Sequence, residues 1–257
     1  MNWETKLLEE VVEYFIDYRG KTPNKTTSGI PLVTAKIVKN GALLEPDEFI
    51  SEEDYPLWMT RGFPEINDVV LTTEAPLGEV ALIKDRNVAL AQRIITLRGF
   101  KDKLDNKFLK YWFQSEYGQY ELDSRASGTT VFGIKASVLK KIPVPVPSLP
   151  EQQAIASVLS ALDDKIDLLQ RQNQTLEQMA ATLFRQWFIE EAKEEWEEVT
   201  IGDLCAIVTK GTTPKSFTTL GVNFIKAESL SGNGAFIKNK FAYISEEVHF
   251  NSLKRSV

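Results

Sequence analysis

From Pro150 to Trp187 the apolar positions alternate in steps of three and four without a break: Ile155, Leu159, Leu162, Ile166, Leu169, then Asn173, Leu176, Ala180, Leu183 and Trp187. A 3-4 alternation over about five heptads predicts one long helix with a single apolar seam. A stripe of that length is not stable in water, so the helix is built to meet a partner. Read as heptads, Leu159, Ile166, Asn173, Ala180 and Trp187 fall at a positions, and Ile155, Leu162, Leu169, Leu176 and Leu183 at d positions. Asn173 is the one polar a residue; it either sets register and partner number at some expense in stability, or lies at a wet edge. The start is marked by Ser148-Leu-Pro-Glu151, with Pro150 in the first turn and Glu151 near the positive end. At ~1.5 Å per residue the rod from Pro150 to Ile189 is roughly 60 Å long, a spacer's length.

The segment before the rod has a different pattern. Ile30-Pro-Leu-Val-Thr-Ala-Lys-Ile-Val, Asp68-Val-Val-Leu-Thr-Thr, Glu79-Val-Ala-Leu-Ile and Arg93-Ile-Ile-Thr-Leu-Arg are short, β-branched and bounded by turn residues, and they predict strands. Asn106-Lys-Phe-Leu-Lys-Tyr-Trp-Phe-Gln-Ser-Glu-Tyr predicts an amphipathic helix with Phe108, Leu109, Trp112 and Phe113 inward. The fold class expected is therefore α+β: a globular domain, a long coiled-coil helix, and a second, partial domain.

That second domain is visible as a repeat. Trp3, Leu8-Glu-Glu-Val-Val12, Gly20-Lys-Thr-Pro23, the stretch from Gly29 to Ala35, Asn40-Gly41 and Ile50-Ser-Glu-Glu53 reappear in order as Trp196-Glu-Glu-Val-Thr200, Gly211-Thr-Thr-Pro214, the stretch from Gly221 to Ala227, Asn233-Gly234 and Ile244-Ser-Glu-Glu247. The first copy continues through Gly62 to Ile142, whereas the second reaches only Val257. Boundaries of 1–148, 149–193 and 194–257 follow, with the last segment unable to close a core by itself.

Hydrophobic content of 43%, with 14 Phe and 5 Trp, is enough for real cores. One cysteine, Cys205, excludes an intramolecular disulfide and suits a reducing cytoplasm; the absence of a signal sequence or a run of ~20 apolar residues predicts a soluble cytoplasmic protein with no membrane partner. The net charge of −6 is unevenly spread: 19 basic and 21 acidic side chains in residues 1–150, 4 and 9 in 151–195, and 7 and 6 in 196–257. Most of the acidity belongs to the rod, so a basic face on a near-neutral domain remains open.

A catalytic site is hard to assemble. His249 is the only histidine, which excludes histidine-based triads and multi-histidine metal sites. Cys205, in Asp203-Leu-Cys-Ala-Ile-Val, is read as a buried strand residue. Neither a GxxxxGK[ST] nor a GxGxxG loop occurs. Asp68, Glu74 and Glu79 are spaced rather like a nuclease metal site but lack the following lysine, and are read as solvated or turn carboxylates. No resident metal or cofactor is expected.

The run Lys141-Ile-Pro-Val-Pro-Val-Pro-Ser-Leu-Pro-Glu-Gln-Gln-Ala-Ile-Ala-Ser-Val-Leu-Ser-Ala-Leu-Asp-Asp-Lys-Ile-Asp167, followed by Gln172-Asn-Gln-Thr-Leu-Glu-Gln-Met-Ala-Ala-Thr-Leu-Phe-Arg-Gln-Trp-Phe188, closely resembles the central region of type I restriction-modification specificity subunits. Gly20-Lys-Thr-Pro23, Asp68-Val-Val-Leu-Thr-Thr, Ala75-Pro-Leu-Gly78 and Gly128-Thr-Thr130 look like landmarks of that family's target recognition domains. The resemblance implies a non-catalytic DNA reader with two tandem recognition domains, each reading half of a bipartite site. It implies helices that pack as an antiparallel coiled coil, fix the half-site separation and dock two methyltransferase subunits. Adenine methylation and cleavage would belong to the methyltransferase and restriction subunits, as would S-adenosylmethionine, ATP and Mg. This sequence departs from the family in lacking most of the second recognition domain and the second helix region, which implies a C-terminally truncated form. Half-length members are expected to restore the pseudo-dyad by homodimerising through the spacer seam of Ile155, Leu159, Leu162, Ile166, Leu169, Asn173, Leu176, Leu183 and Trp187. A rod of roughly 60 Å exceeds the ~34–36 Å of one DNA turn and can hold readers on successive turns.

Base readout needs polar side chains on loops, with cations and backbone amides on phosphates. The candidates are Lys21, Thr22 and Lys25 around the Gly20 turn, Thr72, Thr73 and Glu74 before Ala75-Pro76, Gln92 and Arg93, and Ser127, Gly128, Thr129 and Thr130 with Lys135. Competing readings are a coiled-coil scaffold whose flanking domains bind protein, and an enzyme with an unrecognised site. The duplication favours the reader, since a bipartite target calls for two equivalent domains and a catalyst does not.

Overall fold

The computed structural model describes residues 3–20, 22–128, 132–193, 195–232 and 234–253. Two compact units divide the chain, Met1–Met179 and Ala180–Val257, with the division falling inside the long helix.

The first unit is built on a four-stranded antiparallel sheet in the order Val12–Asp17, Ile94–Gly99, Val69–Thr73, Leu77–Leu82. Both of its faces are covered, which is why Val69-Val-Leu71 is continuously apolar rather than alternating. Val69, Leu71, Val80, Ile95 and Leu97 point into one core with Phe108, Leu109, Trp112 and Phe113 of the helix Asn106–Gln114. Val70, Ala81, Ile94 and Ile16 point into a second core against a three-stranded sheet of Phe49–Ile50, Ile30–Val33 and Ala89–Leu90. In that smaller sheet Ile30–Val33 pairs antiparallel with Phe49–Ile50 and parallel with Ala89–Leu90. The amphipathic helix and three of the four expected strands are thus present; the fourth, Ile30 to Val38, stops at Val33 where Ile37 N turns back to Thr34 O, and resumes as the separate strand Val38–Lys39, and the fold class is α+β. The ends of the domain are tied together where Glu4–Leu7 pairs antiparallel with Pro143–Val146, a strand whose prolines restrict it to a two-stranded edge.

Asp68 needs a correction. It is 1% exposed, accepts the Glu65 amide at 2.8 Å, and takes the Arg98 guanidinium on both oxygens at 2.8 and 2.7 Å. It is a turn carboxylate, but one buried in an ion pair that ties the two central strands of the sheet together, not a solvated one. That bond keeps the Arg98 guanidinium above its usual pKa, against the opposing effect of burial. Glu79 too departs from the reading: it lies within the strand Leu77–Leu82 rather than in a turn, half-buried, and its carboxylate accepts the Asn40 amide at 2.7 Å.

The long helix runs Leu149–Arg185 and passes into a π-helical turn, Gln186–Glu190. Its first turns are seated on the first unit by residues outside the heptad seam. Gln152 is fully buried: its Oε1 accepts the Asp105 amide at 2.8 Å, and its Nε2 donates to Lys103 O and Pro147 O, each at 2.9 Å. Ala156 is also buried, and Ile155 packs against the first core. Two turns on, Asp163 bonds the buried Lys110 ammonium at 2.5 Å and accepts the Tyr111 hydroxyl at 2.8 Å. Burial, reinforced by the neighbouring Asp163, pushes the Tyr111 phenol up to about 12. Burial opposes ionisation of Asp163, but the Lys110 and Tyr111 bonds outweigh it and hold the carboxyl below its usual range. Beyond this anchor the seam is open: Leu162, Ile166, Leu169, Leu176 and Trp187 are each between 46% and 60% exposed, and Asn173 stands exposed beside them.

The second unit repeats the first unit's local structure bond for bond. Thr26 N donates to Phe49 O and Thr26 Oγ1 to Ser28 O, each at 2.8 Å; Thr218 N donates to Tyr243 O and Thr218 Oγ1 to Leu220 O, each at 2.8 Å. Ile30↔Ile50 pairing returns as Val222↔Ile244. Gly29 (φ 125°) and Gly221 (φ 145°) both pass so close to the opposite strand that a Cβ would sit 2.3 Å from Ile50 O and 2.2 Å from Ile244 O. The alignment of one landmark shifts: the turn Leu8–Val11, closed by Leu7 N donating to Glu10, matches Ile201–Leu204, closed by Thr200 N donating to Asp203, rather than Trp196-Glu-Glu-Val. What does not return is burial. Leu8 and Val11 are 0% exposed, their counterparts Ile201 and Leu204 73% and 74%. Cys205, expected in a buried strand, is exposed in irregular backbone, because among the described residues of this unit no sheet covers the position that Val12 fills in the first.

Candidate nucleic-acid interface

One end of the four-stranded sheet gathers five of the thirteen expected loop residues. Strand order places there the end of Val12–Asp17, the start of Ile94–Gly99 and the turn between Val69–Thr73 and Leu77–Leu82. Thr73 N donates to Arg93 O at 2.9 Å, Ile134 N donates to Thr73 O at 2.9 Å, and Glu74 bridges to Gly133. These bonds bring Glu74, Arg93, Ser127, Gly128 and Lys135 to one locus. Arg93 has φ 69° and its Nε lies 3.3 Å from Glu74, so the backbone turns the side chain outward while the carboxylate holds it. Ser127 is exposed and exchanges both backbone bonds with Gly133, at 2.9 and 3.1 Å, and Gly128 beside it has φ 140°. Lys135 is exposed at the start of the short helix Ala136–Leu139.

Other candidates fall elsewhere. The side chains of Thr72 and Thr73 are 0% and 2% exposed, and Thr72 Oγ1 accepts the Glu79 amide at 2.9 Å; neighbours in a strand, they point to opposite faces, and both faces are covered, so they shape the hairpin rather than face outward. Lys25 is tied to Glu48 at 2.8 Å beside the smaller sheet. Thr22 is exposed on the rim of a small cleft with Asn24, Asp54 and Trp58, and Gln92 is half-buried. Lys21, Thr129 and Thr130 lie outside the described residues.

Two cations were missed by sequence reading. Arg19 Nη1 donates to Ile134 O at 3.1 Å and its Nε lies 3.5 Å from Asp17. Arg61 donates to the Asp17 carbonyl and stands 3.5 Å from Arg19 O. Tyr18 positions Arg61: its hydroxyl accepts the Arg61 amide at 2.9 Å and donates to Gly62 O at 3.0 Å, while its ring stacks on Trp58 at 5.3 Å. Burial raises the Tyr18 pKa, so the hydroxyl stays a donor. The signal available was a dipeptide: Arg19-Gly20 and Arg61-Gly62 each set a cation against a glycine of positive φ, 86° and 134°, at which the chain turns. Among the described residues the ion pairs at this end of the sheet join Arg19 to Asp17 and Arg93 to Glu74, and with Arg61 and Lys135 beside them four cations stand by two carboxylates in a chain of net charge −6. Such a surface is suited to polyanions. Among the described residues no group of three or more His, Cys, Asp or Glu side chains is arranged to hold a metal, and no helix is long and apolar enough to cross a membrane.

Comparison with known proteins agrees in one direction. The sequence model of the type I restriction modification DNA specificity domain matches residues 1–178. The MjaIX specificity subunit of a type I restriction enzyme from Methanocaldococcus jannaschii is 28% identical across 89% of this chain and 58% of its own length. The MjaVIII specificity subunit from the same organism is 27% identical across 68% of this chain and 43% of its own. This chain thus spans about half the length of these relatives. In fold it is similar to the crystal structure of a type I restriction-modification S subunit from M. genitalium, with a TM-score of 0.51 and 20% identity over 95% of this chain and 63% of that one. With more than half of its residues inside the family's own domain, the chain belongs to the type I restriction-modification DNA specificity family.

Proposed function

We propose that this chain is the DNA-reading, non-catalytic subunit of a type I restriction-modification assembly. Residues 1–148 are its target recognition domain, 149–193 its spacer, and 194–257 the first part of a second recognition domain. The observation that carries the reading is the sheet end where Arg19, Arg61, Arg93 and Lys135 come together, on a domain clamped by Gln152 and Asp163 to the start of a long helix. A clamped rod transmits the position of one reader to the next. Double-stranded DNA is the ligand, read as half of a bipartite site; methyltransferase subunits dock on the spacer, and through them the restriction subunit. Adenine methylation and cleavage, with S-adenosylmethionine, ATP and Mg, belong to those partners. Two copies of this chain pair through the seam and restore two readers.

Duplex binding measured against salt tests the reader. Arg61→Ala, Arg93→Ala and Lys135→Ala should each weaken binding and reduce the log–log salt slope by about one. Unchanged low-salt affinity for all three overturns the assignment and leaves the protein-binding scaffold. Co-purification with a methyltransferase subunit tests the docking role, and light scattering tests the homodimer.

A further inference from the structure

Exposed aromatic side chains of the first unit mostly find company within it. Tyr14 carries the Arg98 guanidinium over its ring at 5.0 Å, Phe63 tilts against Tyr55 at 5.8 Å, and Trp3, Tyr117 and Tyr120 gather with Trp112 in a groove beside the start of the long helix. Phe132 differs: it is 63% exposed, and among the described residues neither a ring nor a cation stands against it.

Phe132 is also held where the cations are. The next residue, Gly133, exchanges both backbone bonds with Ser127 and bridges to Glu74. Ile134 is buried in the first core, its N donates to Thr73 O at 2.9 Å, and its O accepts Arg19 Nη1 at 3.1 Å. Gly133 lies so close to the hairpin that a Cβ would sit 2.9 Å from Thr73 O and 3.0 Å from Glu74 Cβ, which admits only glycine. Phe132 therefore stands one residue, ~3.8 Å, from backbone packed on Glu74, the carboxylate that pairs with Arg93 at 3.3 Å. A bare aromatic ring is fixed among Arg93, Lys135 and Arg19 on a support that cannot yield. Double-stranded DNA presents the matching chemistry, flat apolar base faces stacked between two lines of phosphates.

We propose that Phe132 is a wedge that enters one base step of the duplex and partly unstacks it, while the surrounding cations hold the phosphates on either side. The inference rests on the DNA-reading function proposed above and adds a residue that sets specificity without a hydrogen bond to any base. Pyrimidine–purine steps (TA, CA/TG) unstack most easily, so the preferred half-site carries such a step under the ring. Opening the stack also lowers the cost of extruding a neighbouring base, which methylation of adenine by a partner subunit requires.

In the test, the full-length chain selects its preferred duplex from a random-sequence library, and 2-aminopurine is then placed at successive positions of that duplex. The expected result is protein-dependent brightening confined to one pyrimidine–purine step. Phe132→Ala should abolish it and weaken binding about tenfold with an unchanged log–log salt slope, because no charge is lost. Phe132→Leu, still an apolar wedge, should keep the brightening. Arg93→Ala should do the reverse of Phe132→Ala, lowering the slope by about one and leaving the brightening at saturating protein. A mispair at the same step supplies the unstacking in advance, and should tighten binding of the parent about five- to tenfold and of Phe132→Ala hardly at all. Thermal melts of Phe132→Ala should overlay those of the parent, since the side chain is exposed, which separates a lost wedge from a lost fold. Brightening that persists in Phe132→Ala, or a selected duplex that never brightens, overturns the wedge while the reader stands. A chain that enriches no sequence overturns both.

Discussion

Replacing Gln152 by leucine removes a side chain that joins three segments. Its amide is fully buried and makes three bonds, to Asp105 N, Lys103 O and Pro147 O, at 2.8–2.9 Å. Leucine nearly conserves volume, so the loss is one of polar satisfaction more than of packing. Each buried group deprived of its partner costs ~1–3 kcal/mol, and two of the three belong to a loop that relaxation can bring nearer to water, so the expected total is about 3 kcal/mol. For a unit of this size that lowers the midpoint of thermal unfolding by roughly 6–12 °C. The damage is expected to be local as well as global: Asp105 caps the helix Asn106–Gln114 by accepting the Phe108 amide at 2.9 Å, so loosening Asp105 frays that helix start along with the start of the long one. Thermal melts of the full chain give the midpoint, and amide hydrogen exchange over residues 103–109 and 149–160 gives the place. A Gln152→Leu chain that melts within about 0.5 kcal/mol of the parent, as an ordinary surface substitution would, with unchanged exchange there, refutes the latch.

Three further outcomes follow from the same geometry. Because burial raises the Tyr111 phenol to about 12 from a model-peptide value near 10, its contribution is complete below pH 10 and is lost as pH rises towards 12; denaturation midpoints taken across that window should fall more steeply in the parent than in Tyr111→Phe, and equal slopes would refute it. Arg98→Met strands the Asp68 carboxylate, 1% exposed, and should destabilise the first unit by ~3–5 kcal/mol in urea unfolding. Gly29→Ala sets a methyl 2.3 Å from Ile50 O at φ 125° and should be among the most damaging single changes in the first unit, whereas Gly221→Ala, with the same clash at 2.2 Å from Ile244 O, should leave the first unit's melt untouched and raise exchange only around residues 218–224.

The structure divides the sequence's information by range. Period-2 and 3-4 patterns belong to single elements, and so Val69–Thr73, Ile94–Gly99, the helix Asn106–Gln114 and the rod were all legible, as was the duplication, because the same local chemistry makes the same turns at Gly29 and Gly221. The residues that join elements were not. Gln152, Lys110 and Asp163 sit on polar positions that a helical wheel assigns to solvent, and only the packing of the rod on the domain turns them inward. Thr72 and Thr73 failed in the opposite sense: threonines next to a turn suggest an exposed loop, but both belong to a strand covered on its two faces, which leaves them no outer side. Cys205 shows the same dependence at the scale of a domain. Its apolar neighbours predict a buried strand because in the first copy a sheet is there to receive them. In the second unit the turns form without the sheet, so the local code is satisfied while the core it serves is open. Turns, caps and close glycine contacts are therefore set within a few tens of residues, whereas burial is a property of the whole recognition domain.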